Sequence, residues 1–194
     1  MLAAVILSGG ASSRMGSPKA LLPYQGRPFL EHLLEVTTHP KIGVRRVVLG
    51  AHAEAIGKGV ILNPEEVVIN AAWQRGQLSS IQLALRSLPE GTDGILVCPV
   101  DHPLVSASMI NGLVDQFYAS RAPVVIPVFE GRRGHPVIFS AELYGELENA
   151  SHELGARSVV WAHKEEVREY ITAEEGCVVN LNDPATFTRM TRSM

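Results

Sequence analysis

Cysteine is nearly absent from this chain: Cys98 and Cys177 are the two it has in 194 residues. Two are too few for a disulfide framework, and neither stands in a CxxC or Cys/His spacing that would hold zinc. Cys98 lies inside an apolar run, which predicts a buried thiol. Long apolar runs are lacking as well. The stretch 2–7 has no basic residue before it and ends in glycines, too short for the apolar region of a signal peptide or for a membrane span. The expectation is a soluble, cytoplasmic protein with no membrane partner. A large charge of one sign is also missing: the net charge is −3, a balance that argues against a nucleic-acid partner. No repeat or low-complexity segment interrupts the chain. Hydrophobic residues make up 46% and charged residues 19%, which excludes whole-chain disorder and suits one domain over residues 1–194.

What the chain does have is alternation. Apolar, β-branched runs occur at 2–7, 44–49, 67–69, 94–100, 124–129, 137–139 and 177–181. Most are nearly continuous, as expected of strands covered on both faces. Helical spacing lies between them. Phe29, Leu30, Leu33, Leu34 and Val36 follow Pro28, and Leu78, Ile81, Leu85 and Leu88 form a stripe ended by Pro89. Met109, Ile110, Leu113, Val114 and Phe117 form another, with N-caps at 106–108. Helical segments are also predicted over 141–149 and 152–163, and a polar turn at 129–136 joins two strands. The order of elements implies an α/β protein: a three-layer α/β/α sandwich, Rossmann-like, on a mixed, mostly parallel sheet.

The strongest local feature is a glycine-rich loop directly after the first strand, where open α/β sheets bind ligands. Gly9, Gly10 and Gly16 allow backbone conformations and close approaches that a Cβ would block. Their N–H groups can converge on phosphate oxygens, and Ser12 and Ser13 add hydroxyl donors. Arg14 suits bidentate phosphate binding, and Lys19 supplies a point charge. The P-loop pattern GxxxxGK[ST] and the dinucleotide pattern GxGxxG both fail here.

The segment LSGGASSRMGSPKALLP resembles the N-terminal motif of the MobA-like nucleotidyltransferases, which include the molybdenum cofactor guanylyl- and cytidylyltransferases. The resemblance implies the nucleotide-diphospho-sugar transferase type of sheet. It also implies that Leu7, Ser8, Gly9 and Gly10 pass the base and ribose, while Arg14 and Lys19 meet the triphosphate. Four later stations follow in family order. Asp101 ends an apolar strand in Asp101-His102-Pro103, similar to the family's D-x-P. A carboxylate there suits Mg²⁺, although many strand ends carry Asp as a turn former. The segment Asn180-Leu181-Asn182-Asp183-Pro184 resembles the closing motif of the family, with Asp183 in place of the usual Thr. The resemblance carries the second metal position to Asn182 first and Asn180 second; a helix N-cap by Asn182 or Asp183 is the plain alternative.

The segment 70–80 resembles a stretch that lines the base in the family and points to Asn70, Gly76 and Ser79. Read alone, it is a capped helix. The segment 131–139 matches a G-x-x-G-H-P-x-x-F motif of the cytidylyltransferase-like branch. There Arg132 and Arg133 suit a phosphorylated acceptor, and His135 either positions it or fixes the turn. A solvated hairpin tip is the plain alternative, and Asn180 joins the acceptor candidates.

Together these residues imply a nucleotidyltransferase that moves a nucleoside monophosphate from CTP or GTP to a small phosphorylated acceptor, with Mg²⁺ as cofactor. Lys19, Arg14 and Asp101 are the catalytic candidates. Family frequency makes molybdopterin the acceptor; a sugar phosphate or another phosphorylated alcohol is the alternative. A non-catalytic nucleotide-binding module that delivers a cofactor is the rival from another class, with a cofactor-receiving enzyme as protein partner in either case. A Rossmann-type oxidoreductase is more distant. Gly9 reads like the guanylyl-type motif, whereas the Gly-His-Pro segment leans toward cytidylyl.

Overall fold

The computed structural model describes residues 1–13 and 15–191. Strand β1 (Leu2–Ser8) is buried along its whole length. Leu2 and Ile6 enter one apolar cluster; Ala3, Val5 and Leu7 enter another. Successive side chains of a strand point to opposite faces, so a strand covered on both sides reads as an unbroken apolar run.

After β1 and the glycine loop come a short hairpin, β2 (Pro23–Tyr24) and β3 (Arg27–Pro28), and helix α1 (Phe29–Val36). Strand β4 (Ile42–Leu49), helix α2 (Ala53–Gly59), strand β5 (Val67–Ile69) and helix α3 (Gln77–Leu85) follow. Next are strand β6 (Gly94–Pro99) and helix α4 (Ala107–Ser120), whose Ser106 cap accepts from the Met109 N–H at 3.1 Å. The second half holds β7 (Val124–Phe129), β8 (Arg132–Arg133), β9 (Val137–Ser140), α5 (Tyr144–Asn149), α6 (Arg157–Ala162), β10 (Val167–Ile171) and α7 (Pro184–Thr191).

One sheet runs β10-β7-β9-β6-β1-β4-β5, with β8 paired to β7. The pairs β1/β4, β1/β6, β4/β5 and β7/β10 are parallel; β9 runs antiparallel to both β6 and β7. Helices α1, α2 and α4 bury apolar side chains against one face, and α3, α5 and α6 against the other. The result is the expected three-layer mixed sandwich. Because β9 is reversed, its start at Val137 lies beside Val97 near the end of β6. The 129–136 turn therefore reaches the same edge of the sheet as the loops after β1, β4, β5 and β6.

Three sequence expectations are corrected. Residues 177–181 are no strand: a 3-10 turn at Glu175–Cys177 leads into a segment that crosses the carboxyl edge. Two single backbone bonds tie it there, from His135 N–H to the Cys177 carbonyl at 2.8 Å and from Leu181 N–H to the Asp101 carbonyl at 2.7 Å. The last strand is β10, an edge strand mostly open to solvent, so its sequence Val-Arg-Glu-Tyr-Ile lacks a continuous apolar run. The helix expected from 152 starts at Arg157, because Gly155 (φ +68°) closes a turn before it. The 78–88 stripe stays helical to Leu85 and finishes in turns. Among the described residues, no helix is long and apolar enough to cross a membrane.

Candidate active site

The ends of β1, β4 and β6 are laced together by backbone hydrogen bonds. The Val100 N–H donates to the Leu7 carbonyl at 3.0 Å, and the Ala51 N–H donates to the Gly9 carbonyl at 3.1 Å. Gly50 permits that second contact, since a Cβ there would strike the Gly9 carbonyl and the Trp73 side chain. Gly9 itself lies close to helix α3: a Cβ on it would sit 3.2 Å from Ser80 Oγ. A Cβ on Gly10 would meet nothing within 4 Å, so the second glycine faces open space.

These ends frame a cleft of about 210 Å³ lined by Leu7, Ser8, Gly9, Gly10, Ser12 and Lys19 from the first loop. Trp73, Gly76, Gln77 and Ser80 line its opposite wall, and Pro99, Val100 and Asp101 close the base. Lys19 starts a 3-10 turn, and its N–H donates to Ser12 Oγ at 3.1 Å, which folds the loop back on itself. Its ammonium lies 3.5 Å from Asp101 Oδ2 and donates to Asn182 Oδ1. Three groups from distant parts of the chain thus converge on one point at the cleft floor. The Leu181–Asp101 backbone bond is what carries Asn182 there.

Asp183 has a different task. Its carboxylate accepts from the Thr186 N–H at 2.9 Å, capping α7. Asn180 is exposed and lines neither cavity. Of the two neighbours weighed for the metal position, Asn182 is the one that accepts from the Lys19 ammonium, which itself lies 3.5 Å from Asp101 Oδ2. The two oxygen donors suit a hard divalent cation that completes its shell with phosphate and water. Among the described residues no group of three or more His, Cys, Asp or Glu could hold a metal by itself.

Other candidates fall outside the cleft. Asn70 is buried, and its amide donates to Ser79 Oγ and Ser80 Oγ, each at 2.9 Å, while its Oδ1 accepts from the Ala72 N–H. Ser79 donates to the Gly76 carbonyl at 2.7 Å. Both brace the 70–76 loop against α3, and neither is among the residues that line the cleft. Trp73, Gln77 and Ser80 are the residues of that segment, besides Gly76, that reach the cleft, and spacing alone did not single them out. Ser13 is exposed and, like Gly16 (φ +69°), absent from the cleft lining. Arg14 lies outside the described residues.

A second cavity of about 480 Å³ adjoins the first, with Gln77 lining both. Its floor is apolar, from Leu78, Ile81, Val97, Ile126, Val137 and Phe139. Arg133 and His135 reach it from the 129–136 turn, and the 152–161 segment covers it. Arg133 is paired with Glu169 at 2.9 Å, and Arg132 is exposed on β8. His135 packs on His102, ring centres 4.8 Å apart, and Nδ1 of each is buried without a partner among the described residues. Burial lowers the pKa of His135 to about 4, with the neighbouring His102 adding to the effect against the pull of Asp101. Burial lowers that of His102 as well. Both rings are neutral at neutral pH.

A glycine-lined cleft at the carboxyl edge of a mixed sheet, with a lysine, an aspartate and an asparagine converging on its floor, is the kind of site a nucleotidyltransferase needs. Comparison with known proteins gives the particular family. Residues 4–167 match the MobA-like NTP transferase domain, and the chain belongs to that family. It is 33% identical over 165 residues to the nicotine blue oxidoreductase of Paenarthrobacter nicotinovorans, covering 79% of this chain and 78% of the relative. It is 27% identical over 161 residues to a probable molybdenum cofactor guanylyltransferase of Bacillus anthracis, covering 79% and 77%. Among solved structures, Rv0371c from Mycobacterium tuberculosis H37Rv superposes with a TM-score of 0.85 at 27% identity, covering 98% of this chain and 97% of that one. A structure of the same mycobacterial protein in complex with manganese gives a TM-score of 0.83 at 24% identity, covering 100% and 99%.

Proposed function

We propose that this protein transfers a nucleoside monophosphate from GTP or CTP to a phosphorylated acceptor, molybdopterin first among the candidates, and releases pyrophosphate in the cytoplasm. The observation that carries this reading is the convergence of Lys19, Asp101 and Asn182 on the floor of the glycine-lined cleft. An acceptor phosphate oxygen attacks the α-phosphorus, a new P–O bond forms, and the bond to the β-phosphate oxygen breaks. The acceptor phosphate is already ionised at neutral pH, so no strong general base is needed. Gly9 and Gly10 bring backbone close to the phosphates, and the Lys19 ammonium offsets the charge that grows on the leaving pyrophosphate. Arg14, five residues before Lys19, adds a second positive charge to the same loop. Asp101 and Asn182 orient Lys19 and would hold the divalent cation, Mg²⁺ or Mn²⁺. When bound, that cation supplies charge stabilisation at the phosphate oxygens. The manganese complex of the mycobacterial relative supports a divalent ion in this fold. Positioning by these fixed groups carries the rate.

The second cavity is the acceptor's place in this reading, since it opens beside the cleft through Gln77. Its apolar floor favours a flat ring over the polyol of a sugar phosphate.

The oxidoreductase relative favours a second reading, in which the same cleft holds a dinucleotide hydride donor and the second cavity holds a conjugated ring to be reduced. The test is one panel: apparent stability with each NTP and a divalent cation, then pyrophosphate release with and without phosphorylated acceptor. Acceptor-dependent pyrophosphate release supports transfer. Oxidation of a reduced nicotinamide dinucleotide without pyrophosphate release overturns it in favour of the second reading, and NTP binding with neither reaction points to a delivery module.

A further inference from the structure

Two tryptophans occur in the chain, and they divide between the two cavities: Trp73 lines the cleft and Trp161 the second cavity. Trp161 is 55% exposed although it sits at the mouth of an apolar pocket. Arg157 lies 5.3 Å from its ring centre, on the face-stacking side of a cation–π contact. Five residues before Arg157, the 151–155 turn brings His152 to the same cavity. His152 Nδ1 is buried and has no partner among the described residues, a state that costs free energy unless something bonds to it. His135, which lines the same cavity, has its Nδ1 in the same condition.

The covering segment is anchored from outside the cavity. His163, just after α6, bonds Glu146 on α5 and Glu166, each at 2.9 Å. The Gln82 amide donates to the Leu147 and Glu148 carbonyls, joining α5 to α3. None of these bonds uses the His152 or Trp161 side chain: the indole, with Arg157 over its ring, stays 55% exposed, and His152 Nδ1 is left unpaired among the described residues.

We propose that His152 and Trp161 are specificity-determining residues for the acceptor: Trp161 covers the face of a flat heteroaromatic ring, and His152 Nδ1 bonds its polar edge. This rests on the transferase reading for the word acceptor, but the recognition itself is a binding event that can be measured separately. An apolar floor, one exposed indole and two unpaired imidazole nitrogens match a planar ring that carries hydrogen-bonding atoms at its rim. A sugar would leave the floor wet and the indole uncovered.

Fluorescence separates the two cavities. In Trp73→Phe the remaining emission comes from Trp161, and in Trp161→Phe it comes from Trp73. A free pterin is expected to quench Trp161 saturably, and glucose 1-phosphate is expected to leave it unchanged. His152→Ala on the Trp73→Phe background should weaken pterin binding about tenfold, the loss of roughly one hydrogen bond. His152→Asn, which keeps a nitrogen near the same place, should recover part of it. In turnover the same change should raise the acceptor KM and leave kcat and the NTP KM unchanged. NTP quenching of Trp73 in Trp161→Phe serves as the independent readout: its failure removes the nucleotide reading, while the Trp161 arm still decides this proposal. Absence of pterin quenching at Trp161, or equal pterin affinity with and without His152, overturns it.

Discussion

The two cavities are built by different means. The cleft is made of strand ends and backbone: glycines, one close carbonyl approach at Gly50, and hydrogen bonds that tie the ends of β1, β4 and β6 together. The second cavity is made of side chains from α3, β6, β7, β9 and the 152–161 segment, and imidazole nitrogens in its wall have no partner. A backbone-built site is stiff and suits groups that bond to main-chain N–H, such as phosphate oxygens. A site built from side chains on a covering segment can change by substitution without disturbing the sheet. Two of the protein's relatives carry names as unlike as guanylyltransferase and oxidoreductase, and a shared fold does not by itself fix function.

That contrast can be broken at either cavity. The largest effect belongs to the cleft floor. Lys19→Ala or Asp101→Ala should lower kcat by about 10² to 10³ or more with the thermal transition little changed, measured by pyrophosphate release and calorimetry. Next is Gly50→Val, whose side chain would drive into the Gly9 carbonyl. It should cost about 1–3 kcal/mol of stability and raise the NTP KM, as read by denaturant unfolding and initial rates. Smaller is Gly9→Ala. The added methyl presses on Ser80 Oγ and the wall that holds Trp73. It should shift preference from GTP toward CTP by about tenfold in kcat/KM, the order expected for one methyl group in a pocket.

A further effect, seen in stability and not in rate, is a pH dependence where His135 meets His102. His135 has its pKa lowered to about 4 from an ordinary 6.5, chiefly by burial. His102 is shifted in the same direction. Between those values the unfolded chain binds more protons than the folded one. Stability therefore falls as pH drops through that window and is level above it. Thermal unfolding from neutral pH to pH 4 should show the decline, and His135→Asn should flatten part of it.

The same contrast decides what could be read from sequence. The glycine loop, the strand before it and Asp101 lie within short stretches whose residue types follow from local backbone needs, so they were legible. The core was legible too, because β1 and β6 are buried on both faces and show it. Edge strand β10 hides its nature, since only part of its surface is packed, and the true crossing segment 177–181 imitates a strand by its apolar composition. Asn70 and Ser79 were recognised as parts of a functional segment, but which residue faces the ligand is set by the turn into α3. There the braces point inward, and Trp73, Gln77 and Ser80 face the cleft. His152 and Trp161 carried no signal at all. No local pattern marks them, and they matter only because a fold brings the 152–161 segment over strands that lie far away in sequence.

The central claim is transfer of a nucleotidyl group, and following the α-phosphate tests it most directly. With GTP or CTP labelled at the α-phosphorus, a divalent cation and molybdopterin, the wild-type protein should place label on the acceptor with one pyrophosphate released per label transferred. Asp101→Ala should place almost none. Label that stays in the triphosphate or appears only as free nucleoside monophosphate, with the acceptor unlabelled, would contradict the account.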